Sequence, residues 1–392
     1  MDEMLPSRLG KLRIVCSLPL FSDAICIKKQ SAAEHGFTQV LLSIAIAPQL
    51  KLSQEHECEL IELAIFAEIP KSLLGDPSFY LRQRHPDVQQ MYKEVRARLW
   101  KETESTVKIK TTRLPSLFAL HELIDAYAAS LFIEKEVALG NSFFAPEIGR
   151  TNYNKMRLNV HQTKMIKASH PLVNEPTTGI AMPDITVDWV GAVKFLDQLK
   201  DYANQARLQG GMADYSATFL GMVEKLKEHY RYKGWSYHYP ESVGEHTFQV
   251  VFLVRILANA LGLRAQERID LYRLATLHDL AEAYASDVIY PVKIREKDLG
   301  RMHQEIEDRV IADVCEKLGM ILSEDPFLHA LVDICDRFSA QLYFDRERRS
   351  GNTHFNVPNT SMTRTREKYE RKYPEVFYVL DELWEEYIQC FS

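Results

Sequence analysis

The sequence predicts an all-α fold. Apolar residues recur at spacings of three and four along most of the chain, which is the period of an amphipathic helix. Runs of β-branched residues with strict alternation, the mark of half-buried strands, are scarce. Hydrophobic residues make up 46% and charged residues 26% of the 392 residues, which provides enough apolar side chain to bury a core in each of two domains.

The helical period marks the individual helices. The clearest start is at Ser242, which can cap a helix, with Glu245 three residues later in the capping-box position. Predicted helices cover 33–47, 56–68, 115–139, 188–207, 216–230, 243–262, 266–285, 301–319, 326–348 and 365–389. The stretch 141–185, rich in Pro, Asn and Thr, predicts a connector or an ordered excursion between two helical units. Gln209-Gly210-Gly211 predicts a break before the second unit.

The charge, hydropathy and cysteine spacing argue against several classes of protein. Lys and Arg number 48 against 54 Asp and Glu, a formal charge of −6, which argues against an extended nucleic-acid-binding surface. No stretch approaches about 18 uninterrupted apolar residues, and the N-terminus is acidic, so neither a membrane span nor a secretory signal is expected. The six cysteines contain no CxxC pair, which favours reduced thiols in a cytoplasmic protein.

The two halves of the chain resemble each other at a constant offset of 211 residues. The matched pairs are Glu34-His35 with Glu245-His246, Phe37 with Phe248, Asp76 with Asp287, Asp125 with Asp336, and Gly140-Asn141 with Gly351-Asn352. Chance matching between two Leu- and Ala-rich helical halves explains such a set poorly. We therefore expect a diverged duplication, with a first copy at 1–155, a connector with a helix at 156–215 and a second copy at 216–392.

Histidine and aspartate residues of the second half have the spacing of metal ligands. His278 and Asp279 are neighbours on a predicted helix, where both side chains can reach an ion lying beside it. With His246 and an aspartate of a later helix (Asp333 or Asp336), they would form a mixed nitrogen and oxygen site that suits Zn, Mn, Fe, Co or Ni better than Ca or Mg. The plain alternative is a set of surface charges and a hydrogen-bonded core histidine.

A carboxylate stands close to this set in the sequence. Glu282 follows Asp279 by three residues and His278 by four, so a continuous helix would place it on nearly the same face. From there it would reach a water molecule at the ion and could act as a general base.

His246, His278-Asp279 and Asp336 resemble the H…HD…D signature of the HD-domain metal-dependent phosphohydrolases. The surrounding stretches are similar to the bacterial 5′-deoxynucleotidase branch of that superfamily. These stretches are Arg231, Glu241 to Val250, His278 to Glu282, Ser286-Asp287 and Pro291-Val292-Lys293. The resemblance covers about 226–352, and Ser286 stands where the branch has glycine. It implies an all-α protein of two tandem HD-domain helical bundles.

The resemblance also implies roles for individual residues. His246, His278, Asp279 and Asp336 would hold one divalent transition metal ion. Glu282 and Asp287 would be catalytic, and Arg231, Lys233, Trp235 and Lys293 would bind the substrate. The favoured reaction is removal of phosphate from deoxynucleoside monophosphates. The expected partner of the protein is this small substrate, and neither a membrane nor an extended nucleic acid is expected as a partner. Triphosphates, cyclic nucleotides or alarmones are alternative substrates, and a non-catalytic nucleotide sensor or scaffold is the alternative class.

The first half departs from the same pattern at decisive positions. The offset places Ala67 against His278, Glu68 against Asp279, Lys71 against Glu282 and Leu20 against Arg231. We therefore expect no catalysis there, although His35, Glu68 and Asp125 could still bind a metal weakly. The favoured role is structural, as one half of an intramolecular pseudo-dimer. A regulatory nucleotide pocket in this half and a homo-oligomer of the whole chain stay open.

Overall fold

The computed structural model of the chain confirms the all-α prediction. It describes residues 7–20, 26–74, 85–107, 111, 114–145, 151–167, 185–216, 218–232, 234–285, 297–356 and 360–389. Within these ranges the regular structure is helical. The only β pairing among these residues is the pair of isolated bridges Pro19–Ser31 and Tyr230–Ser242.

The chain divides into two compact units. One comprises Met1–Leu196 with Glu382–Ser392, and the other comprises Asp197–Asp381. The first holds α1 Arg8–Ser17, α2 Ala32–Gln49, α3 Gln54–Leu74, α4 Pro86–Val107, α5 Pro115–Ala138 and α6 Asn152–Thr163, and α7 Trp189–Ser216 begins in it. The second holds α8 Phe219–Glu228, α9 Val243–Ala260, α10 Ala265–Leu277, α11 Glu282–Ala285, α12 Lys297–Leu318, α13 Pro326–Arg349, a 3₁₀ turn Thr353–Asn356, α14 Thr360–Tyr369 and the first half of α15 Pro374–Gln389.

Each unit is built around one helix that is buried on nearly all sides. In the first unit this is α2, which packs on α3 and α5, and in the second it is α9, which packs on α10 and α13. Helices that are apolar all round belong in a core. Both begin with a capping box, Ser31 with Glu34 and Ser242 with Glu245, each contributing about 1 kcal/mol.

Corresponding helices of the two units repeat along the chain. Three of them, α2, α4 and α5, begin and end 211 residues before α9, α12 and α13 respectively. The buried Glu136 carboxylate accepts three hydrogen bonds, and so does that of Glu347, 211 residues later. The donors are the Ile27 and Lys28 backbones and the Asn141 amide in one unit, and the His238 and Tyr239 backbones and the Asn352 amide in the other.

Several predicted helix boundaries are wrong. The helix predicted over 266–285 ends at Leu277, and the one predicted over 365–389 is divided before Pro374, which lacks the N–H that a helix interior needs. The break predicted at 209–211 lies inside α7, since glycine in a helix costs only about 1 kcal/mol. The predicted connector 141–185 contains α6. No helix was predicted at the positions of α1 and α4.

Helix α5 is long and apolar enough to cross a membrane, contrary to the prediction of no such segment. However, 67% of its apolar window is buried inside the protein, which is the environment of a core helix. The cysteine prediction agrees with the described residues: Cys16, Cys26, Cys58, Cys315 and Cys335 are thiols. Cys390 lies outside the described residues.

Candidate metal centre

Three helices of the second unit bring the predicted metal ligands to one point. His246 lies in the first turns of α9, Asp336 lies on α13, and His278 with Asp279 directly follows α10. One ligand atom each from His246, His278 and Asp336 lies within 4.8 Å of the others. The Oδ2 atom of Asp279 is 3.2 Å from His278 Nε2 and 3.7 Å from His246 Nε2. The four side chains therefore form one cluster.

The backbone after α10 differs from the continuous helix assumed for this region. The Glu282 amide donates to the Asp279 carbonyl at 3.0 Å and the Ala283 amide to the Leu280 carbonyl at 3.2 Å, which are the three-residue steps of tight turns. The argument that Glu282 shares a helix face with His278 is therefore wrong. Glu282 instead opens the short helix α11, three residues after Asp279, and its side chain is half-buried.

The Nε2 atom of the His278 ring lies 3.2 Å from the Asp279 carboxylate without forming a hydrogen bond. The Nδ1 atom of the ring lies 2.8 Å from the Ala275 carbonyl, to which it must donate. Burial lowers the pKa of His278, but the adjacent Asp279 carboxylate outweighs that effect and raises it to about 9. The cluster thus favours a positive charge at this ring, which either a proton or a metal cation at Nε2 supplies.

His246, like His278, carries a proton on Nδ1. His246 is completely buried, and its Nδ1 lies 3.1 Å from the hydroxyl of Ser339, which itself donates to the Gln249 side-chain carbonyl at 3.2 Å. The hydroxyl therefore accepts from Nδ1–H, and Nε2 lies 2.9 Å from the Asp336 carboxylate, where the two atoms can share a proton or a metal cation. Burial and the nearby Arg231 lower the pKa of His246. Two lone-pair atoms at such a distance suit a shared cation.

Both aspartates are anionic at neutral pH. Burial opposes their ionisation, but His246, Arg337 and Arg231 hold the pKa of Asp336 well below its usual value. In the same way, His278 lowers the pKa of Asp279 to about 2. Two imidazoles and two carboxylates are the donor set of Zn, Mn, Fe, Co and Ni. The described residues therefore fit a divalent transition metal ion.

A half-buried cation lies beside the cluster. The Arg231 guanidinium is 3.4 Å from the Glu241 carboxylate and 3.9 Å from that of Asp336. Despite burial, its pKa is raised by Tyr232 and by these two carboxylates, so it stays charged. The structure thus places a permanent positive charge within 3.9 Å of the Asp336 carboxylate.

A hydrogen-bonded chain connects this arginine to a metal ligand. The Gln249 amide donates to Glu241 at 2.7 Å, and the Gln249 carbonyl accepts from Ser339, which contacts His246. Sequence reasoning assigned no role to Glu241, Gln249 or Ser339. The first two lie inside the matched motif stretch, whereas the only signal for Ser339 is its spacing of three residues after Asp336 on α13.

The remaining predicted residues lie outside the cluster or outside the described residues. Trp235 is 40% exposed and packs against Phe344 and Phe355, with ring centroids 6.0 and 5.1 Å away. Asp333, one turn before Asp336, instead contacts Lys368 and Tyr369. The predicted residues Lys233, Asp287 and Lys293 lie outside the described part of the chain.

Next to Trp235, the backbone adopts an uncommon conformation. Tyr232 has a φ of 58°, in the left-handed region that non-glycine residues seldom occupy, and its ring stacks on Tyr343 at 4.6 Å. Such strain is retained where the surroundings fix a functional segment. The residue that follows Arg231 is therefore packed among the aromatic rings of Tyr343, Phe344 and Phe355.

The chain is similar to known proteins over this unit. A family model described as 5′-deoxynucleotidase YfbR-like matches residues 218–387. A 5′-deoxynucleotidase of Vibrio parahaemolyticus is 31% identical over 158 residues, which are 36% of this chain and 79% of that protein. The yfbR 5′-deoxynucleotidase of Photorhabdus temperata is 27% identical over 139 residues, 32% of this chain and 71% of that protein.

A third relative extends the same result. A 5′-deoxynucleotidase of Shewanella oneidensis is 28% identical over 131 residues, which are 30% of this chain and 67% of that protein. No solved structure matches the chain. The matched segment contains all four clustered ligands and Arg231, so the comparisons and the geometry refer to the same part of the molecule. The chain belongs to the YfbR-like 5′-deoxynucleotidase family of the HD superfamily.

Proposed function

We propose that the second unit is a metal-dependent phosphohydrolase that removes the 5′-phosphate from deoxynucleoside monophosphates. The observation that carries the proposal is the convergence of two histidines and two aspartates beside the half-buried Arg231. The relatives named 5′-deoxynucleotidases support the choice of substrate class. A small substrate with one phosphate needs only this local positive charge, in keeping with the net charge of −6. A cytoplasmic location is part of the proposal.

The proposed roles follow from the chemistry of each group. His246, His278, Asp279 and Asp336 would hold the metal ion, which supplies Lewis-acid charge withdrawal at a phosphoryl oxygen and lowers the pKa of water. Arg231 would bind the remaining phosphoryl oxygens through its planar guanidinium. Stacking of the base on the exposed face of Trp235, and phosphate contacts by Lys233 and Lys293, belong to the same proposal.

The proton transfers can be assigned to carboxylates. A water oxygen bonds to phosphorus while the bond between phosphorus and the 5′ oxygen breaks. Glu282 is proposed to take the proton of the attacking water, and that proton ends on the 5′ oxygen of the released deoxynucleoside. Asp287 is proposed to position the water or to assist the leaving oxygen.

We infer that the two units arose by duplication and that the first is not catalytic. The repeated helix bounds and the equivalent hydrogen bonds of Glu136 and Glu347 support a common origin. Ala67 and Leu20 replace a metal ligand and the phosphate-binding arginine of the second unit, which supports the loss of activity.

The test is phosphate release from a panel of deoxy- and ribonucleoside mono-, di- and triphosphates and cyclic nucleotides with added Mn²⁺, Co²⁺, Ni²⁺ or Zn²⁺. We expect release from deoxynucleoside monophosphates by the wild type and none by Asp336→Asn. Asp333→Asn, one turn away on α13, is the matched control and should stay active. Equal activity of the wild type and Asp336→Asn would overturn the proposal, and exclusive use of another nucleotide class would overturn its substrate.

A further inference from the structure

The first unit contains a cluster that corresponds to the metal centre. His35 on α2, Glu68 on α3 and Asp125 on α5 have ligand atoms that all lie within 4.8 Å of one another. His35 and Asp125 stand 211 residues before His246 and Asp336. One imidazole and two carboxylates are sufficient donors for a divalent transition metal. The question is what neutralises the two carboxylates of this cluster.

An amine of the protein already lies between them. The Lys71 Nζ atom is 2.7 Å from Glu68 Oε1 and 2.8 Å from Asp125 Oδ1. The Glu68 side chain is completely buried, whereas the Lys71 side chain is 23% exposed, so the ammonium closes the cluster from its solvent side. Lys71 therefore makes, with its charge, the contacts that a metal ion would make.

The ligand atoms are further occupied by protein donors. The Gln39 amide donates to Glu68 Oε1 at 2.9 Å and to Asp125 Oδ1 at 2.7 Å, and His35 Nε2 is 2.8 Å from the same Asp125 oxygen. Burial opposes the ionisation of Asp125, but Lys71 and His35 hold its pKa well below the usual value. The carboxylate is therefore anionic and paired at neutral pH.

A metal ion and the ammonium would compete for the same two oxygens. Two cations within about 4 Å repel each other strongly when they are shielded from water. Removing the amine would leave two buried or half-buried carboxylates with too little positive charge, which is costly. Two buried atoms, Glu68 Oε2 and His35 Nδ1, have no hydrogen-bond partner, so the cluster retains donor capacity.

We propose that Lys71 is the resident cation of the first unit, standing in place of a divalent metal, and that its removal uncovers a latent metal site formed by His35, Glu68 and Asp125. The centre of the first unit is then independent of metal supply, whereas that of the second unit requires it. The inference goes beyond the proposed nucleotidase activity and does not depend on hydrolysis by the second unit.

The experiment counts bound Mn²⁺ per chain after equilibrium dialysis of the full-length protein. Lys71→Ala should bind one Mn²⁺ more than the wild type, and Lys71→Arg, which keeps the charge, should gain none. His35→Ala introduced into Lys71→Ala should remove the gain. Because each comparison keeps the second unit constant, an inactive or metal-free second unit leaves the expected difference unchanged. No gain in Lys71→Ala, or an equal gain in Lys71→Arg, would overturn the proposal.

A second variant covers the case in which Lys71→Ala does not fold. In Lys71→Gln the polar side chain retains hydrogen bonds but carries no charge. Its Tm should rise by several degrees when EDTA is replaced by Mn²⁺, beyond any rise of the wild type, because metal binding to the folded state stabilises it. Equal shifts for the wild type and Lys71→Gln would contradict a latent site.

Discussion

The two clusters each lie among packed helices, and they differ in the charge of one side chain. That side chain is Lys71 in the first unit and Glu282 in the second. In the first unit Lys71 holds Glu68 and Asp125 together. In the second unit the position 211 residues later is Glu282, and the carboxylates of Asp279 and Asp336 face two histidines instead of an amine. The comparison teaches that the same buried acids can be stabilised by a fixed side-chain cation or by an exchangeable ion. Only the exchangeable ion leaves positions open for substrate and water.

A second difference concerns the group beside each cluster. Arg231 lies 3.9 Å from Asp336 in the second unit, and Leu20 occupies the equivalent sequence position in the first. A leucine offers neither charge nor hydrogen bonds to a phosphate. The first unit thus has no cation at the position of the proposed phosphate-binding arginine, and its Lys71 amine lies where a metal ion would.

The strongest test of this contrast substitutes the equivalent aspartates. Asp336→Asn should lower kcat/KM for the deoxynucleoside monophosphate by about a thousandfold or more, because ligand, charge and hydrogen bond to His246 are lost together. Asp125→Asn should leave kcat/KM within about twofold, since its cluster contains the internal Lys71 cation. A large loss in Asp125→Asn with unchanged folding would show that the first unit takes part in catalysis.

The next largest effect is expected at Arg231. Arg231→Gln should lower kcat/KM by about a hundredfold, because a charge-assisted bond to the phosphate is lost and Glu241 loses its ion pair. Steady-state kinetics with the monophosphate measures it, and bound metal should stay at the wild-type level. Leu20→Gln is the matched change in the first unit and should have no effect. Full activity of Arg231→Gln would exclude the guanidinium from substrate binding.

A smaller effect is expected from the hydrogen-bonded chain behind the ligands. Gln249→Leu removes the acceptor of Ser339 and the donor to Glu241, so both His246 and Arg231 lose part of their positioning. Metal affinity should fall by about tenfold, within the range typical of residues that orient a ligand. Gln249→Glu keeps the acceptor for Ser339 and should recover part of that affinity. Equal metal binding by the wild type and Gln249→Leu would show that the chain is structural.

The smallest effect is a pH dependence of stability in the first unit. Burial lowers the pKa of His121 to about 4, with Asp125 and Lys71 acting in opposite directions, so the ring is neutral when folded and gains a proton on unfolding below about pH 6.5. Its contribution to stability is therefore lost as pH falls from about 6.5 towards 4, about 1 kcal/mol of it between pH 6.5 and 5.5. Urea unfolding at both pH values measures this loss, which His121→Gln should remove. A slope that is identical in the wild type and His121→Gln would contradict a neutral buried ring.

Features of the protein that require a particular type of residue could be predicted from the sequence. The helical period predicts the all-α fold, and the separated His246, His278, Asp279 and Asp336 converge because α9, α10 and α13 pack together. The offset of 211 residues recurs in the helix bounds. The turn after Leu277 escapes prediction, since no glycine or proline marks it and tertiary contacts decide where α10 ends.

Two further features depend on three-dimensional contacts that no local pattern encodes. The ion pair of Lys71 with Asp125 joins α3 to α5, and the two residues are 54 positions apart in sequence. Ser339 becomes a partner of His246 only because α9 and α13 are neighbours. Sequence position identifies Lys71 as a replacement of Glu282, but only the distances show that its amine lies where a metal would.

The central claim is that one of two related clusters holds a metal, and the metal content of matched histidine variants tests it most directly. After dialysis against Mn²⁺, elemental analysis should find one ion per chain in the wild type, one in His35→Ala and none in His246→Ala. Two ions per chain in the wild type, or loss of the ion in His35→Ala with retention in His246→Ala, would contradict the account.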